Sequence, residues 1–290
     1  MIAGESTGEK IFHVLNYVLL TILGLCFVIP FWLIFWASFT DETVFLAEGY
    51  AFIPKKLSVK AYQALFAGKQ IWNSFKSSLI ITIGHTVVSI ICTSMVAYTV
   101  SKKDLVGRPI IMNIIIFAML FGGGTIPGYV NMINLGLKNN YLAFILPGAL
   151  AIWNMILIRA YFYSISPSIE EAAKIDGCRH FRIYATIFMP LSLPILATIT
   201  LFTAVGCWNG WMGPKLYIDS QHYEKMMPLS AWLKDVLDRS NNTDATTEPV
   251  FSSKVGEMAT VVVTIAPIMA VYPMLQKYFV KGIMLGSVKG

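Results

Sequence analysis

Charged residues are scarce in this sequence. Asp, Glu, Lys and Arg make up only 13% of the 290 residues, whereas 56% are hydrophobic. Soluble globular domains contain about 25% charged residues and about 45–50% apolar ones. The composition therefore excludes an ordinary soluble domain and predicts an integral membrane protein.

Catalytic and metal-binding motifs are also missing. The four cysteines are scattered, with no CxxC or paired spacing, so neither a disulfide framework nor a thiolate metal site is expected. No HExxH or GxSxG motif occurs, and the sequence has no GxxxxGKS or GxxxxGKT phosphate-binding loop, because the glycines of GGGTIPGY lack the lysine and hydroxyl. An intramembrane protease or lipid hydrolase is an alternative class, but it would need a site that the sequence does not display.

Long apolar stretches dominate what is present. A membrane-crossing helix needs about 20 apolar residues, and we expect six spans in an all-α membrane protein, at 16–39, 77–101, 109–121, 141–163, 191–212 and 259–278. None of them contains Asp or Glu. The third runs into FGGGTIPGY, whose glycines and proline predict that the span ends or breaks there. The first is too long for a signal peptide and lacks a small-x-small cleavage site, so it should stay as an anchor.

Basic residues indicate the orientation of these spans. With a cytoplasmic N-terminus, the inner segments hold ten basic and six acidic residues, whereas the longer outer loops hold ten of each. This bias favours both termini inside. The net charge of +6 is thereby explained as membrane orientation, and no nucleic-acid partner is expected. Of the two long outer loops, 41–73 and 213–258, the second contains the amphipathic MPLSAWLKDVLDRS, which is either a solvated connector or a docking element for an external partner.

EEAAKIDG, at residues 170–177, is a charged island between apolar stretches. Ser166 before Pro167, or Ser168 with Glu171 three residues later, predicts a helix start, and Gly177 suits the left-handed residue that ends it. A helix of about ten residues is unstable alone in water and must rest on another surface. Lipid is one candidate, but small alanines and paired carboxylates suit a protein surface that offers an arginine.

This segment resembles the EAA loop of ABC importer permeases. The matching positions are Glu171-Ala172-Ala173, Gly177 after three residues, Ile187 after nine more, and Pro190, with Met189 in place of the family's leucine. The stretch 134–177, the AVGCWNGW segment and the C-terminal VKGIMLGSVKG are similar to carbohydrate permeases of the maltose type, in particular the group for oligosaccharides and polysaccharide fragments.

The resemblance implies a type I ABC importer permease fold that occupies one domain, 1–290. It implies a coupling helix within the inner loop 164–189 that sits in a cleft of an ATPase subunit, where Glu171 pairs with a basic residue. The candidate coupling residues are Glu170, Glu171, Ala172, Ala173, Asp176 and Gly177. It also implies that the tail, 279–290, reaches the ATPase dimer and that the loop 213–258 contacts a sugar-binding protein.

The function implied by the resemblance is import of oligosaccharides by alternating access, with a non-sugar solute as the alternative. We expect no catalytic site, cofactor or metal in this chain, so ATP and Mg belong to two cytoplasmic ATPase subunits. The implied assembly adds a second permease, as a heterodimer partner, and an extracytoplasmic sugar-binding protein. Its place is the bacterial cytoplasmic membrane, with lipid around a multi-pass chain.

A sugar in the pathway needs aromatic faces together with amide or hydroxyl groups, and five residues offer them: Trp153, Asn154, Trp208, Asn209 and Trp211. The alternatives are tryptophans at the membrane interface, favoured for Trp211, and asparagine bonds between helices. In maltose-type importers the sister permease makes the main sugar contacts, which argues against direct contact here. His85 is expected to bond between helices, and Arg159 to extend its charge to the interface.

Overall fold

The computed structural model describes residues 7–241 and 253–286, and within them helices are joined by turns and loops, with an isolated bridge between Thr40 and Leu57 as the sole β pairing. The all-helical prediction is confirmed for these residues. The helices of the first half are α1 (Thr7–Ser38), α2 (Glu42–Glu48), α3 (Lys60–Ala67), α4 (Lys69–Ser101), α5 (Arg108–Leu120), α6 (Thr125–Asn134), α7 (Leu142–Ile145) and α8 (Ile152–Ser164). Those that follow are α9 (Pro167–Ile175), α10 (His180–Ile183), a π-helical turn (Tyr184–Phe188), α11 (Met189–Leu191), α12 (Leu193–Trp208), α13 (Met212–Tyr217), α14 (Tyr223–Met226), α15 (Leu229–Asn241) and α16 (Lys254–Gly286).

Three described helices are long and apolar enough to cross a membrane: α1 over Gly8–Ser38, α4, and α16 over Lys254–Val271. Two bent pairs raise this to five if each pair is one span. The first joins α5 to α6 at 107°, and the second joins His180–Leu191 to α12 at 82°. Three predicted spans therefore fall on continuous helices. The count of six and the orientation stay predictions.

The stretch 141–163, predicted as one span, is divided into the short α7 and α8. Gly148, next to Pro147, has φ +72 and turns the chain between them. In a membrane, backbone groups freed by such a break need partners within the protein. α4 supplies them: His85 Nδ1 lies 3.0 Å from the Ile145 carbonyl, and the Thr93 hydroxyl donates to the Ala149 carbonyl at 3.2 Å. The predicted bonding role of His85 between helices is thus confirmed.

The glycine-rich break after α5 also matches its prediction. Phe121 ends the helix, and Gly124 has φ +85 just before α6 begins. Only glycine adopts that conformation without strain. The third predicted span consequently ends at the glycines, and the chain continues at a steep angle.

The contacts divide the chain into two compact units. The larger comprises Lys69–Lys234 and the described residues from Ala266, and in it α4 contacts α5, α7, α8, α12 and α14. The buried face of α4 is rich in small hydroxyl residues, namely Ser74, Ser77, Ser78, Thr86, Ser89, Thr93 and Ser94. Small residues let helices approach closely where no water drives their association. Gly84 shows how closely, because a Cβ there would lie 2.8 Å from Ile145 Cδ1.

The smaller unit comprises the described residues up to Gly68 and Asp235–Ile265. Its small core includes Ala37, Phe45 and Val255. The Glu42 carboxylate accepts from the backbone N–H groups of Lys254 and Val255, at 3.0 and 3.3 Å, and so neutralises the N-terminus of α16. The most apolar stretch of α1 has no residue buried within the described chain, as expected for a helix facing lipid or another subunit. The prediction of one domain over 1–290 stays a prediction.

Candidate functional site

The short helix α9 begins and ends where the sequence predicts. Of the two predicted starts, the structure has Ser166 as N-cap with Pro167 in the first turn, although no side-chain cap bond forms. The end is a Schellman motif: Gly177 has φ +76, its N–H donates to the Lys174 carbonyl at 3.0 Å, and the Cys178 N–H donates to the Ala173 carbonyl at 2.9 Å. Beyond it, residues 180–189 of the predicted loop are helical.

Opposite faces of α9 have opposite environments. Ala173 is 7% exposed and belongs to an apolar core that also contains Phe162 and Ile183. Glu171 and Ala172 are exposed, and so are Asp176 and Gly177 at the end of the helix. Two large apolar side chains beside them are exposed as well, Ile175 at 87% and Phe181 at 68%. The helix is thus packed on its own chain by one face and free on the other.

Glu170, the first carboxylate of the pair, faces its own chain. Its side chain is 14% exposed, Oε2 accepts from the Lys102 ammonium at 2.5 Å, and Oε1 accepts from Lys174 at 3.1 Å. Lys102 Nζ also lies over two aromatic rings, 3.8 Å from the centroid of Tyr98 and 4.3 Å from that of Phe188. Glu170 therefore holds α9 against the end of α4. Its predicted contact with an ATPase subunit stays a prediction.

Burial and pairing together set the ionisation of this cluster. Burial opposes the charge of Glu170, but the hydrogen bonds from Lys102 and Lys174 outweigh it and lower the pKa of the carboxyl. Burial lowers the pKa of Lys102 despite the attraction of Glu170. The more exposed Lys174 responds in the opposite direction, because its hydrogen bond to Glu170 raises its pKa. The difference between the two lysines follows from how much water each has lost.

A cleft of about 310 Å³ lies between the first half of α9 and the residues after α4. Its charged lining has both signs: Lys102, Lys103, Asp104, Glu170, Glu171 and Lys174. A single charged side chain of a partner can pair with one lining residue of opposite charge. A ligand with several charges of one sign would also be repelled by the lining residues of that sign. Among the described residues, no group of His, Cys, Asp and Glu side chains could hold a metal ion.

A second cavity, of about 370 Å³, lies along the first half of α4. We call it the Trp208 cavity, and its lining includes Ser78, His85, Phe144, Trp208 and Tyr217. Trp208 is 6% exposed, and its ring contacts Phe75 edge-on, with 6.2 Å between the ring centroids. The lining has no Asp, Glu, Lys or Arg. It combines aromatic faces with hydroxyl and imidazole groups, which suits an uncharged polar solute.

The other predicted pathway residues lie elsewhere. Asn154 donates to the Thr203 hydroxyl at 3.3 Å, which is a bond between α8 and α12. Trp153 is 63% exposed, and Asn209 is exposed at the end of α12. Trp211 is 41% exposed, and Lys215 and Lys234 each place their Nζ 5.7 Å from its ring centroid. Of the five, only Trp208 lines the cavity.

Known proteins resemble this chain over almost its whole length. A family model for the binding-protein-dependent transport system inner membrane component matches residues 105–285. The chain belongs to this family. The polygalacturonan/rhamnogalacturonan transport system permease protein YtcP of Bacillus subtilis (strain 168) is 37% identical over 287 residues, covering 97% of this chain and 99% of that protein. Protein LplC of the same strain is 36% identical over 290 residues, covering 99% of this chain and 97% of its own.

A solved structure agrees with this family. One chain in the crystal structure of a bacterial ABC transporter involved in the import of the acidic polysaccharide alginate is 34% identical, with a TM-score of 0.85, and the match covers 95% of this chain and 99% of that one. The prediction of an ABC importer permease, made from the EAA segment, is therefore confirmed. Membership also agrees with a transport subunit that has no catalytic site of its own. The roles of individual residues stay predictions.

Sequence reasoning missed Lys102 as a site residue of this permease, because it counted only as a basic residue after a span. A signal was available, since Ser94, Tyr98 and Lys102 are spaced four residues apart and share one helix face. Nothing in that spacing identifies Glu170 as the partner, however, because 68 residues separate them. The cavity residues Phe144 and Tyr217 were also missed, because they are far in the sequence from Ser78 and His85 and only the fold brings them to the same cavity.

Proposed function

We propose that this permease is one of two membrane subunits of an ATP-driven importer of oligosaccharides in the bacterial cytoplasmic membrane. It has six spans and both termini inside. Two ATPase subunits bind ATP and Mg, a second permease completes the pore, and an extracytoplasmic sugar-binding protein delivers the solute. The family's dependence on a binding protein and the saccharides named for its relatives support this assembly.

The exposed face of α9 carries the proposal. Glu171 and Ala172 offer a carboxylate beside a small residue, and Ile175 adds a large apolar side chain that is 87% exposed. Ala173 and Glu170 hold the helix from behind, so its free face is presented in a fixed orientation. Such a face fits a protein cleft that contains a basic residue, whereas Glu171 would be repelled by an anionic lipid surface.

In the proposed cycle, closure of the ATPase dimer moves α9 and turns the pore from inward-facing to outward-facing. The chain connects α9 to α8 on one side and to α10, the π turn and α12 on the other. The predicted tail contact with the ATPase dimer is part of this proposal. Residues 287–290 of that tail lie outside the described residues, as do residues 242–252 of the loop proposed to contact the sugar-binding protein.

The Trp208 cavity is the proposed point of solute contact on this subunit. A saccharide ring has apolar C–H faces that stack on aromatic side chains and hydroxyls that need hydrogen-bond partners. Trp208 and Tyr217 provide the first kind of surface, and Ser78 and His85 provide the second. Asn154, Trp153, Asn209 and Trp211 do not line this cavity, and we propose structural or interfacial roles for them.

Reversing the charge of Glu171 tests the proposed function. In proteoliposomes with the partner proteins, Glu171→Lys should weaken ATPase binding and reduce saccharide uptake while the permease stays in the membrane. The loss should reach about tenfold or more, as expected when one partner of an interfacial charge pair is removed. Glu224→Lys, at another exposed carboxylate, is the matched control and should keep both activities. Full uptake by Glu171→Lys would contradict the proposal, and uptake of only non-sugar solutes would correct the substrate class.

A further inference from the structure

α4 and α9 are joined by a contact that their chain connection does not impose. Lys102 follows the last residue of α4, and its Nζ lies 2.5 Å from Oε2 of Glu170, 68 residues further along. Both side chains are largely withdrawn from water, at 13% and 14% exposure. Without Glu170 the Lys102 charge would lose its carboxylate partner, and without Lys102 the Glu170 carboxylate would keep only the more exposed Lys174, so the contact is strong only while both partners are present.

We propose that Lys102 and Glu170 are positioning residues that make α4 and α9 move as one body. A displacement of α9 then reaches the pore directly through α4, and not only through the helices that flank α9 in the chain. This inference rests on the proposed function, in which the ATPase subunits move α9.

The rest of the same α4 face engages the segment beyond Gly177. The Ser94 and Tyr184 hydroxyls are 2.7 Å apart. The Tyr98 ring centroid lies 5.4 Å from that of Tyr184 and 4.9 Å from that of Phe188. Tyr184 and Phe188 are the first and last residues of the π turn. Successive turns of α4 therefore contact the chain on both sides of the Schellman motif, and α9 cannot shift far without taking α4 with it.

A second helix holds the same end of α4. The Nε of Arg159, on α8, donates to the Val100 carbonyl at 3.3 Å. This carbonyl is in the last turn of α4, where a cation is favoured by the helix dipole. α8, which leads directly into α9, is thus tied to α4 as well. The three helices meet at one end in a network of charged and aromatic contacts.

α4 leads from this end to the Trp208 cavity. Ser78 and His85 line the cavity, and no proline interrupts α4 between His85 and Lys102. At about 1.5 Å per residue, that stretch spans about 25 Å. A continuous helix of this length carries a displacement with little bending. The ion pair at one end therefore connects the moved helix to the proposed solute contact in a single step.

Charge exchange tests the inference in the assembled complex in proteoliposomes. Lys102→Glu and Glu170→Lys each bring like charges together, and the number of solute molecules imported per ATP hydrolysed should fall about tenfold. The ATPase subunits should stay bound, because the face with Glu171 is unchanged. The double exchange is made together with Lys174→Gln, so that the exchanged ammonium at position 170 has no like charge beside it. It restores the pair and should recover most of the ratio that Lys174→Gln alone shows. Lys69→Glu, at an exposed lysine that is the first residue of α4, is the matched control and should keep the wild-type ratio.

The number of solute molecules imported per ATP hydrolysed distinguishes a positioning role from a folding defect, because a folding defect would lower the amount of assembled complex instead. If the charge-reversed single variants do not assemble, Lys102→Gln and Lys102→Arg replace them, and only Arg should keep the ratio. Equal ratios of solute imported to ATP hydrolysed in these two variants would overturn the inference. So would single exchanges that keep the wild-type ratio. A double exchange that assembles but does not recover the ratio would overturn it too. Failure of the proposed function is recognised separately, by wild-type ATPase binding and uptake in Glu171→Lys.

Discussion

The end of α4 at Lys102 and the middle of the same helix are held in different ways. At Lys102, an ion pair and the rings of Tyr98 and Phe188 join it to α9 and the π turn. Closer to its middle, His85 and Thr93 bond to the carbonyls of a broken segment, and His85 also lines a cavity with no charged lining residue. A charged, aromatic network resists separation, whereas a neutral cavity can bind and release an uncharged ring. One helix thus combines a firm mechanical contact with a weak solute contact.

The largest effect should come from filling the space behind α9. Ala173 is 7% exposed, so Ala173→Leu overpacks the core and should lower the stability of the isolated permease by about 1–3 kcal/mol. Ala172→Leu, one residue away on the exposed face, should leave that stability unchanged and weaken ATPase binding instead. Thermal unfolding and co-purification measure the two effects. Equal loss of stability in both variants would contradict the two-faced geometry.

A smaller effect is expected at the Trp208 cavity. Trp208→Leu removes the aromatic face, and the apparent KM for saccharide should rise about fivefold, which corresponds to about 1 kcal/mol of ring stacking. The number of solutes imported per ATP should stay the same, because the Lys102 end of α4 is intact. Trp153→Leu is the control, since Trp153 is 63% exposed and does not line the cavity. An unchanged KM in Trp208→Leu, or an equal rise in both variants, would exclude the cavity as the solute contact.

The smallest effect concerns pH and the loop near the cavity. Hydrogen bonds from His222 and Asn139 lower the pKa of Asp219 from 3.8 to about 2. A carboxyl whose pKa is lower in the folded state stabilises the fold fully above 3.8, and that contribution is lost as the pH falls from 3.8 towards 2. Amide exchange of residues 137–139 and 217–222 should therefore show constant protection between about pH 5 and 7 and declining protection below about pH 4. Asp219→Asn should remove that decline, and an unchanged profile would contradict the assigned bonds.

The parts of the molecule predictable from sequence are those set by neighbouring residues. Pro167 and Gly177 fix the bounds of α9 because each restricts its own backbone. The spans 16–39, 77–101 and 259–278 fall on continuous helices because hydropathy alone defines them. The same local reasoning fails at 141–163, where partners on α4 make the break at Gly148 tolerable.

The candidate site also has one part that the sequence predicts and another that it does not. The exposed face of α9 agrees with the motif, whereas the inward position of Glu170 depends on Lys102, far away in the sequence. Two adjacent carboxylates with the same side chain thus have different surroundings, which only the folded chain reveals. Tertiary contacts likewise place Trp208 at a cavity and leave Trp153 on the surface.

Site-specific photocross-linking at Ile175 in the native membrane complex shows whether the free face of α9 contacts an ATPase subunit. This side chain is 87% exposed on the face of α9 assigned to the ATPase subunit. We expect a cross-linked product that contains the permease and an ATPase subunit, and no such product from a probe at Trp153. Cross-linking of Ile175 to lipid alone, in a complex that transports solute, would contradict it.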